Sequence, residues 1–533
     1  MKVSNTDSKK RIAVVFLLVV TFPLLLLAQT AGTLDNTFGT NGVTLTAIGT
    51  GNDFANAVAI QSDGKIVAAG YSITGTKYDF SLARYNTNGS LDNTFGNGGI
   101  VKTSVQTATD QIYSIVIQPD GKIVAGGVSS STANSYDWAL ARYNPDGTLD
   151  NTFGTNGIVV SSLSSKQDYL YSLLLQNDGK IVGIGYSNDG TKSNFTLARY
   201  NSNGTLDASF GTNGVVLTSF DSNSSIARTG AILPDGKILA AGNMTASSIS
   251  NFTIVKYNSN GTIDNTFGTA GKVVKAFGTS NEIIYSLLPM QDGQIVAGGT
   301  SRVGTVTNLA VARFKSNGDV DNTFGTNGIT INQIGTTNAS FGKLLNLPGV
   351  GLLACGYGTV NNVLSMVFLL YNSTDGKNVT SFGTAGIVST AVGTTSAGAN
   401  TMAMQKDGKV IVAGYAQGSV NYDYAIARIH TGVVVSVETV NENIPCNFTL
   451  NQNYPNPFNP STTITFTIPE NGYAMLRVYD AVGREVAILF NGYAEAGRYN
   501  KVEFETKNLT SGVYYAQLRF KNNVEQKKML LVK

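Results

Sequence analysis

The stretch LDNTFGTNG at residues 34–42 recurs in variant form along most of the chain. Its phenylalanine returns every 57 or 58 residues, at Phe38, Phe95, Phe153, Phe210, Phe267, Phe324 and Phe382. The phrase DGKIVAAG keeps the same register, with Asp63, Asp120, Asp178, Asp235, Asp292 and Asp407, and Gly349 in one copy. So does ARY, with Arg84, Arg142, Arg199, Lys256, Arg313 and Arg428, and Leu370 in the sixth copy. Three phrases in one register over seven copies predict a repeat architecture.

Each repeat predicts four short strands, here called a, b, c and d. In the first repeat they fall at residues 43–46, 57–61, 65–70 and 80–85, which are β-branched or aromatic runs bounded by Gly, Asn and Asp. The b–c links read SDG or PDG, which suits a type I turn followed by a left-handed glycine. Strands b and c therefore form a hairpin, and the repeated aspartate is interpreted as a turn residue rather than a catalytic group.

Seven units of four antiparallel strands predict an all-β fold with a seven-bladed β-propeller over residues 29–430. Ring closure removes exposed sheet edges. The alternative, a β-solenoid, would need polar capping units at its ends, and the first and last repeats keep the common pattern. At these residues, over about 32–430, the chain resembles the delta-60 repeat family. That resemblance implies a β-propeller and carries no chemistry.

The N-terminus predicts a signal peptide over residues 1–28. A basic start precedes a 16-residue apolar run, residues 12–27, and cleavage is expected after Ala28. A membrane anchor is the alternative, but this run is shorter than the ~20 residues of a span. We therefore expect no membrane span after cleavage. The two cysteines, Cys355 and Cys446, build neither a disulfide framework nor a zinc site, although a single bridge between them stays open.

Residues 431–447 are interpreted as a linker, and residues 448–533 predict about seven strands in a small Ig-like β-sandwich. This segment resembles the type IX secretion C-terminal sorting domain. The residues that carry the resemblance are Tyr454, Pro455, Asn456, Pro457, Phe458, Asn459, Pro460, Gly483, Arg484, Gly497, Gly512, Tyr514, Lys527 and Lys528. The resemblance implies export by the Sec pathway, recognition of residues 448–533 by the type IX machinery, and a secreted or outer-membrane cell-surface protein. The alternative is an accessory sandwich that packs on the ring.

The a–b and c–d links lie at one end of the blades and differ between repeats, as at residues 71–77, 128–136 and 300–307. Ligand sites favour variable loops on rigid scaffolds. We call this the variable end and expect it to bind the partner. Asp53, Asp110, Asp168 and Asp221 fall near it and are interpreted as solvated loop residues, with carboxylate chemistry or calcium binding as alternatives.

Two further patterns concern the blades. Arg84, Arg142, Arg199 and Arg313 each precede an aspartate by eight residues, and where the basic residue is Leu370 the acidic position is Val379. This joint loss predicts a charge pair across the blade junction. A line of strand-d residues is interpreted as packing between blades, with a sugar-binding ladder as the alternative: Phe80, Trp138, Phe195, Phe252, Leu309, Met366 and Tyr424.

Composition narrows the function. The net charge of +3 and the 13% of charged residues give no basic patch for nucleic acid. The only histidine is His430, which excludes histidine-based triads and multi-histidine metal sites within the ring. We therefore predict no catalytic residue, cofactor or metal, and a binding module for a polysaccharide or a surface protein. The alternatives are a glycan hydrolase or lyase on a propeller scaffold, and a purely structural surface protein.

Overall fold

The computed structural model describes residues 31–433 except 133–134, 279–280 and 394, and residues 448–532 except 470–471, 495–499, 507–508 and 522. The chain divides into two compact units, Met1–Val434 and Val435–Lys533. The predicted signal peptide, most of the predicted linker and Cys446 lie outside the described residues.

The first unit is all β in its described residues. Its strands in the first four repeats are β1 (Val43–Thr46), β2 (Asp53–Ile60), β3 (Ile66–Thr74), β4 (Lys77–Tyr85), β5 (Ile100–Thr103), β6 (Thr109–Ile117), β7 (Ile123–Thr132), β8 (Ser135–Tyr143), β9 (Ile158–Ser161), β10 (Asp168–Leu175), β11 (Ile181–Asn188), β12 (Ser193–Tyr200), β13 (Val215–Thr218), β14 (Ser224–Ile232), β15 (Ile238–Ala246) and β16 (Ile249–Tyr257). Those in the last three are β17 (Lys272–Lys275), β18 (Glu282–Pro289), β19 (Ile295–Val303), β20 (Val306–Phe314), β21 (Ile329–Asn332), β22 (Ser340–Leu347), β23 (Gly351–Val360), β24 (Val363–Tyr371), β25 (Ile387–Thr390), β26 (Ala397–Met404), β27 (Val410–Gln417) and β28 (Tyr422–Ile429).

These strands form seven antiparallel blades, as predicted, but a blade is not one repeat. Each blade takes strands b, c and d from one repeat and strand a from the next, as in the order β10-β11-β12-β13. Blade 1 begins at β2, and β1 completes blade 7 by pairing with β28, with Val43 opposite Ala427. The N-terminal strand thus closes the ring.

Strands b, c and d are longer than predicted at the variable end. Strand b of the first repeat begins at Asp53, and strand c continues to Thr74, so that only residues 75–76 link c to d. The added residues are polar or mixed, which hides the strand pattern in the sequence. The backbone ladder nevertheless continues, with Ile73 opposite Tyr78.

The b strands form the inner wall of the ring. β2, β6, β10, β14, β18, β22 and β26 contact one another in turn, and β26 returns to β2. Strand a, which pairs only with strand d, is the outermost strand of each blade. Every b strand also carries a β-bulge near its middle, as between Ala55 and Ala57.

The predicted charge pairs are present, but each ion pair lies within one blade, because the aspartate belongs to the d–a link that follows the arginine. A separate bond from the guanidinium crosses the blade junction. Arg142 Nε lies 2.7 Å from Asp150 Oδ2, and a guanidinium N–H donates to the carbonyl of Ser202 in the next repeat. Lys122 from the DGK turn reaches the same carboxylate at 2.9 Å, and Phe153 lies under the guanidinium at 4.6 Å. The three recurring phrases therefore meet at one point. At the ring closure, Arg428 pairs at 2.7 Å with Asp35.

The line of strand-d residues is buried. All seven have no exposed surface and belong to the packing between blades, so they cannot form a sugar-binding ladder: Phe80, Trp138, Phe195, Phe252, Leu309, Met366 and Tyr424. Cys355 is also fully buried with a free thiol. Its possible bridge to Cys446 falls outside the described residues.

The second unit is a β-sandwich. Its strands are β29 (Thr449–Leu450), β30 (Ser461–Thr467), β31 (Gly472–Asp480), β32 (Glu485–Ala494), β33 (Asn500–Glu505), β34 (Gly512–Phe520) and β35 (Asn523–Leu531). They form a sheet in the order β29-β30-β33 and a second in the order β32-β31-β34-β35. Ile464, Leu476 and Leu518 lie in the core between them and are fully buried. The described residues thus contain the seven strands that the sequence predicts.

Candidate binding face

The aspartates at the start of strand b are not solvated loop residues, and this corrects the expectation from sequence. Asp53, Asp110 and Asp168 have no exposed surface. Asp53 Oδ2 accepts hydrogen bonds from the backbone N–H groups of Ile48, at 2.6 Å, and Gly49, at 3.0 Å. The carboxylates therefore tie the a–b links to the blades. Asp221 is the exception, since it is exposed.

Burial raises the pKa of Asp53 and of Asp110, against the lowering effect of their hydrogen bonds. Ser129 donates one of these bonds to Asp110 at 2.6 Å. The nearby charge of Asp423 raises the pKa of Asp53 further. Because the oxygens of Asp53 and Asp110 already accept bonds from the protein, these groups are poorly placed to exchange protons with a substrate.

Half-buried aromatic rings form a first cluster at the variable end, which we call aromatic cluster 1. It runs over blades 6, 7 and 1 and comprises Phe54, Tyr71, Tyr78, Tyr357, Tyr415 and Tyr422. Phe54 lies at its centre, with ring centroids 4.9 Å from Tyr415 and 5.3 Å from Tyr71. Burial, with a smaller effect of Tyr78, raises the pKa of Tyr71 to about 12. The ring of Tyr71 therefore stays uncharged.

A second set, aromatic cluster 2, covers blades 2 and 3 and comprises Tyr113, Tyr136, Tyr169, Tyr171 and Tyr186. Tyr169 and Tyr186 stack with centroids 5.2 Å apart and planes 7° apart. Tyr171 is the bulge residue of β10, so this cluster continues from the variable end onto the inner wall. All five rings are half-buried and keep part of their surface exposed.

One pattern in the sequence marks these clusters, although it was not among the features used for prediction. Tyr71, Tyr186, Tyr357 and Tyr415 occupy the same strand-c position, directly after the AAG, GIG, ACG or VAG of the DGK phrase. The other members come from strands b and d, far away in the chain. Only the pairing of the strands shows that they meet.

The only histidine, His430, belongs to the ring closure. It is buried, and its Nε2 lies 3.7 Å from Asp35 Oδ1. Burial lowers the pKa of His430, against the raising effect of Asp35. Within the described ranges, no three His, Cys, Asp or Glu side chains are grouped so that they could hold a metal ion.

The residues singled out in the second unit fall into two places. Residues 454–460 lie against the terminal strand β35: Phe458 N–H donates to Leu530 O at 3.0 Å, and Asn456 Oδ1 accepts from Leu530 N–H at 2.8 Å. Asn456 also donates to the carbonyl of Lys528. The motif thus lies beside β35, the strand that contains Lys527 and Lys528, although some 70 residues separate them in the chain.

The other motif residues form turns and strand starts. Gly483 has a φ of 84°, and the neighbouring Arg484 pairs with Asp480 at 2.8 Å. Gly512 begins β34, and the Tyr514 hydroxyl donates to Thr510 O at 2.8 Å. Tyr454 is 82% exposed, whereas Phe458 is buried. Gly497 lies outside the described residues.

Comparison with known families explains both units. The profile described as "Domain of unknown function (DUF5122) beta-propeller" matches residues 61–95, 118–153, 176–210, 233–267, 291–324 and 405–432, and that of the "Secretion system C-terminal sorting domain" matches residues 452–533. Six segments of the ring are thus DUF5122 repeats, and the second unit is a secretion system C-terminal sorting domain. The sorting domain indicates that the protein is exported by type IX secretion to the cell surface or the extracellular space. The matches agree with both resemblances seen in the sequence. No curated protein sequence matches the chain.

Solved structures give weaker likenesses to the chain. The polysaccharide lyase Uly1 has a TM-score of 0.44 and 11% identity, over 71% of this chain and 90% of the lyase. Sqt1 from Chaetomium thermophilum has a TM-score of 0.36 and 14% identity, over 73% of this chain and 100% of Sqt1. The PQQ-bound aldose sugar dehydrogenase from Streptomyces coelicolor has a TM-score of 0.37 and 13% identity, over 61% of this chain and 96% of the dehydrogenase. With TM-scores below 0.5, none of these likenesses bears on function. In the part of the chain that the structure describes, no helix is long and apolar enough to cross a membrane.

Proposed function

We propose that the ring is a non-catalytic binding module that recognises a polysaccharide through aromatic clusters 1 and 2 at its variable end. The observation that carries the proposal is the row of eleven half-buried aromatic rings, each with part of its surface exposed, along five adjacent blades. The apolar face of a sugar ring packs against an aromatic face, and a tyrosine hydroxyl adds a hydrogen bond at the edge. An extended row of such rings suits a polymer better than a single small molecule.

The carboxylates near these rings support binding over catalysis. Asp53 and Asp110 hold the a–b links, and Asp79, Asp137 and Asp423 occupy one strand-d position in different blades. A glycosidase places two carboxylates asymmetrically about one bond. All five carboxylates return with the blade period, and those of Asp53 and Asp110 also accept hydrogen bonds from the backbone, which fits a structural role.

The proposal is tested by affinity measurements on a panel of soluble polysaccharides with four variants of the full chain. Tyr169→Ala and Tyr186→Ala remove the stacked pair of cluster 2, and Phe54→Ala removes the centre of cluster 1. Because tyrosines and other aromatic anchors dominate interfaces, each change should weaken binding about tenfold or more. Asn177→Ala, an exposed change in a b–c turn at the opposite end of the ring, should leave binding unchanged.

The result that contradicts the proposal is equal binding by all four variants, or loss only in Asn177→Ala. Binding of a surface protein, with no polysaccharide bound by the folded wild type, would replace polysaccharide by protein as the ligand class. Release of shortened or unsaturated sugars from any bound polymer would show that the module is an enzyme.

A further inference from the structure

The bulge residues of the innermost strands differ from blade to blade and touch across the blade junctions. Six of them are Asn56, Tyr113, Tyr171, Arg228, Tyr285 and Asn400. Asn400 donates to the Ala55 carbonyl at 3.0 Å, and the ring centroids of Tyr113 and Tyr171 are 5.2 Å apart. All bulges occur at the same register, so these side chains lie at one level of the ring's inner wall.

Arg228 is the one positively charged side chain among these six bulge residues. Its guanidinium lies over the rings of two neighbouring blades, 5.3 Å from the centroid of Tyr171 and 5.2 Å from that of Tyr285. Its Nε is buried and has no hydrogen-bond acceptor in the described residues. Contact with ring faces uses the flat side of a guanidinium, so the Nε–H of Arg228 is left available to an acceptor.

The strand-d arginines of the ring have a partner that Arg228 lacks. Arg84 and Arg313 each donate from Nε to an aspartate, at 2.7 and 2.8 Å, and stack on a phenylalanine as well. Arg228 keeps the aromatic contacts, but among the described residues no carboxylate pairs with it. A half-buried guanidinium that has no anionic partner loses part of its hydration without gaining a compensating ion pair.

The sixth blade adds a second unpaired cation. Its bulge contains two residues, Gly342 and Lys343, between the paired positions Phe341 and Leu344. Lys343 is half-buried, forms no ion pair in the described residues, and has its pKa lowered by burial. Gly342 carries no side chain where the other blades carry one, because a Cβ there would lie 2.8 Å from the Ala399 carbonyl oxygen.

We propose that the bulge level of the inner wall is an anion-binding site, in which Arg228 receives a carboxylate or sulfate group of an acidic sugar and Lys343, two blades away, adds positive charge. This site rests on the proposed function only for the identity of the polymer, because a small free anion would bind it as well. Aromatic cluster 2 leads to it, since Tyr171 stacks with the cluster and lies against Arg228. The ring would thus select acidic polysaccharides over neutral ones.

The experiment uses the full chain and two matched pairs of oligosaccharides in titration calorimetry. One pair is oligogalacturonate and its methyl ester, and the other is a sulfated galactan fragment and its desulfated form. We expect the acidic member of at least one pair to bind at least about tenfold more tightly, and Arg228→Gln to remove about 10- to 100-fold of that affinity. The pair of oligosaccharides that shows this difference in affinity tells whether the site binds a carboxylate or a sulfate group.

Three controls make the result specific. Lys343→Gln should weaken the acidic ligand alone, whereas Lys102→Gln, an exposed change on the outermost strand β5, should change nothing. Arg228→Lys keeps the charge and should restore part of the acidic preference; it also serves if Arg228→Gln fails to fold. Inorganic sulfate and free galacturonate test the site without a polymer.

Equal affinity for both members of each pair, or an acidic preference that survives in Arg228→Gln and Lys343→Gln, overturns the anion site. Neutral ligands that still bind through Tyr169 would leave the proposed polysaccharide function standing in that case. Conversely, if no oligosaccharide binds but small anions bind in an Arg228-dependent manner, the proposed function fails and the anion site holds.

Discussion

The strand-d arginine and the aspartate eight residues later form one small structure that the repeat rebuilds at successive junctions. Arg142 and Asp150 are both buried, and the carboxylate also accepts from Thr152 Oγ1 at 2.7 Å. Burial opposes ionisation of Asp150, but the bonds from Thr152 and Lys122 and the charge of Arg142 hold its pKa well below the usual range. The sixth junction, with Leu370 and Val379, does without the pair, so removal of both partners together is tolerated there.

A double-mutant cycle on Arg142 and Asp150 tests this residue-scale interpretation. Arg142→Leu or Asp150→Val alone leaves a buried charge with fewer partners and should cost about 3–5 kcal/mol of unfolding free energy. The double variant, which copies the sixth junction, should cost less than the sum by about 1–3 kcal/mol. Urea unfolding followed by the fluorescence of Trp138, the only tryptophan and in the same blade, measures all three.

The control cycle combines Arg142→Leu with Asp207→Val, whose aspartate belongs to the next junction. Those two changes should add within about 0.5 kcal/mol. A coupling of Arg142 with Asp150 that is no larger than this control value would refute the charge-pair interpretation.

At the scale of strands, β1 has a role that no other strand a shares, because it joins the two ends of the ring. It pairs with β28, Gly32 N–H donates to His430 O at 2.6 Å, and Asp35 pairs with Arg428. The DGK turn of the last repeat adds Lys409, 2.8 Å from Asp35. Without β1, strand β28 would be an exposed edge open to association with other chains.

Removal of residues 29–46 should therefore lower the stability of the ring and cause aggregation. The expected loss is about 3 kcal/mol or more, since Arg428 loses its buried partner along with the strand pairing. Thermal unfolding with light scattering measures both effects. A synthetic peptide of residues 31–48 should restore the midpoint by adding the missing strand, and the same peptide with Asp35→Asn should do so less well. An unchanged midpoint in the shortened chain would show that β1 does not hold the ring closed.

The whole molecule joins two units with separate cores and separate tasks. The ring core and the sandwich core share no buried cluster in the described residues. Residues 454–460 of the sorting domain pack against β35, so this part of the motif lies beside Lys528. Export therefore depends on the second unit, whereas the proposed ligand binding belongs to the first.

Deletion of Val435–Lys533 should keep the protein inside the cell envelope without unfolding the ring. We expect the truncated protein to disappear from the cell surface and medium, as judged by fractionation and blotting, while its thermal midpoint matches that of the ring in the whole chain. As a control, Asn177→Ala in the full chain should be exported normally. Export of the truncated chain at the wild-type level would contradict the role of the second unit in sorting.

The sequence by itself determined the blade number, the hairpin turns, the arginine–aspartate charge pairs and the sorting domain. These features depend on residues close together in the chain or on phrases that return at a fixed spacing. Both kinds of signal can be read directly from a repetitive sequence. Even the burial of the strand-d line followed, because an apolar position that recurs in every blade must face the core.

Only the tertiary structure decided which repeat completes each blade, why Asp53 is buried, and where Arg228 lies. These depend on ring closure, which brings together side chains that are about 57 residues apart between neighbouring blades and nearly 400 apart between Asp35 and Arg428. The bulge residues and the aromatic clusters differ from one repeat to the next, so the repeat pattern of the sequence does not reveal them. Their proximity follows from strand pairing and from the packing of the inner wall, which no local stretch of sequence specifies.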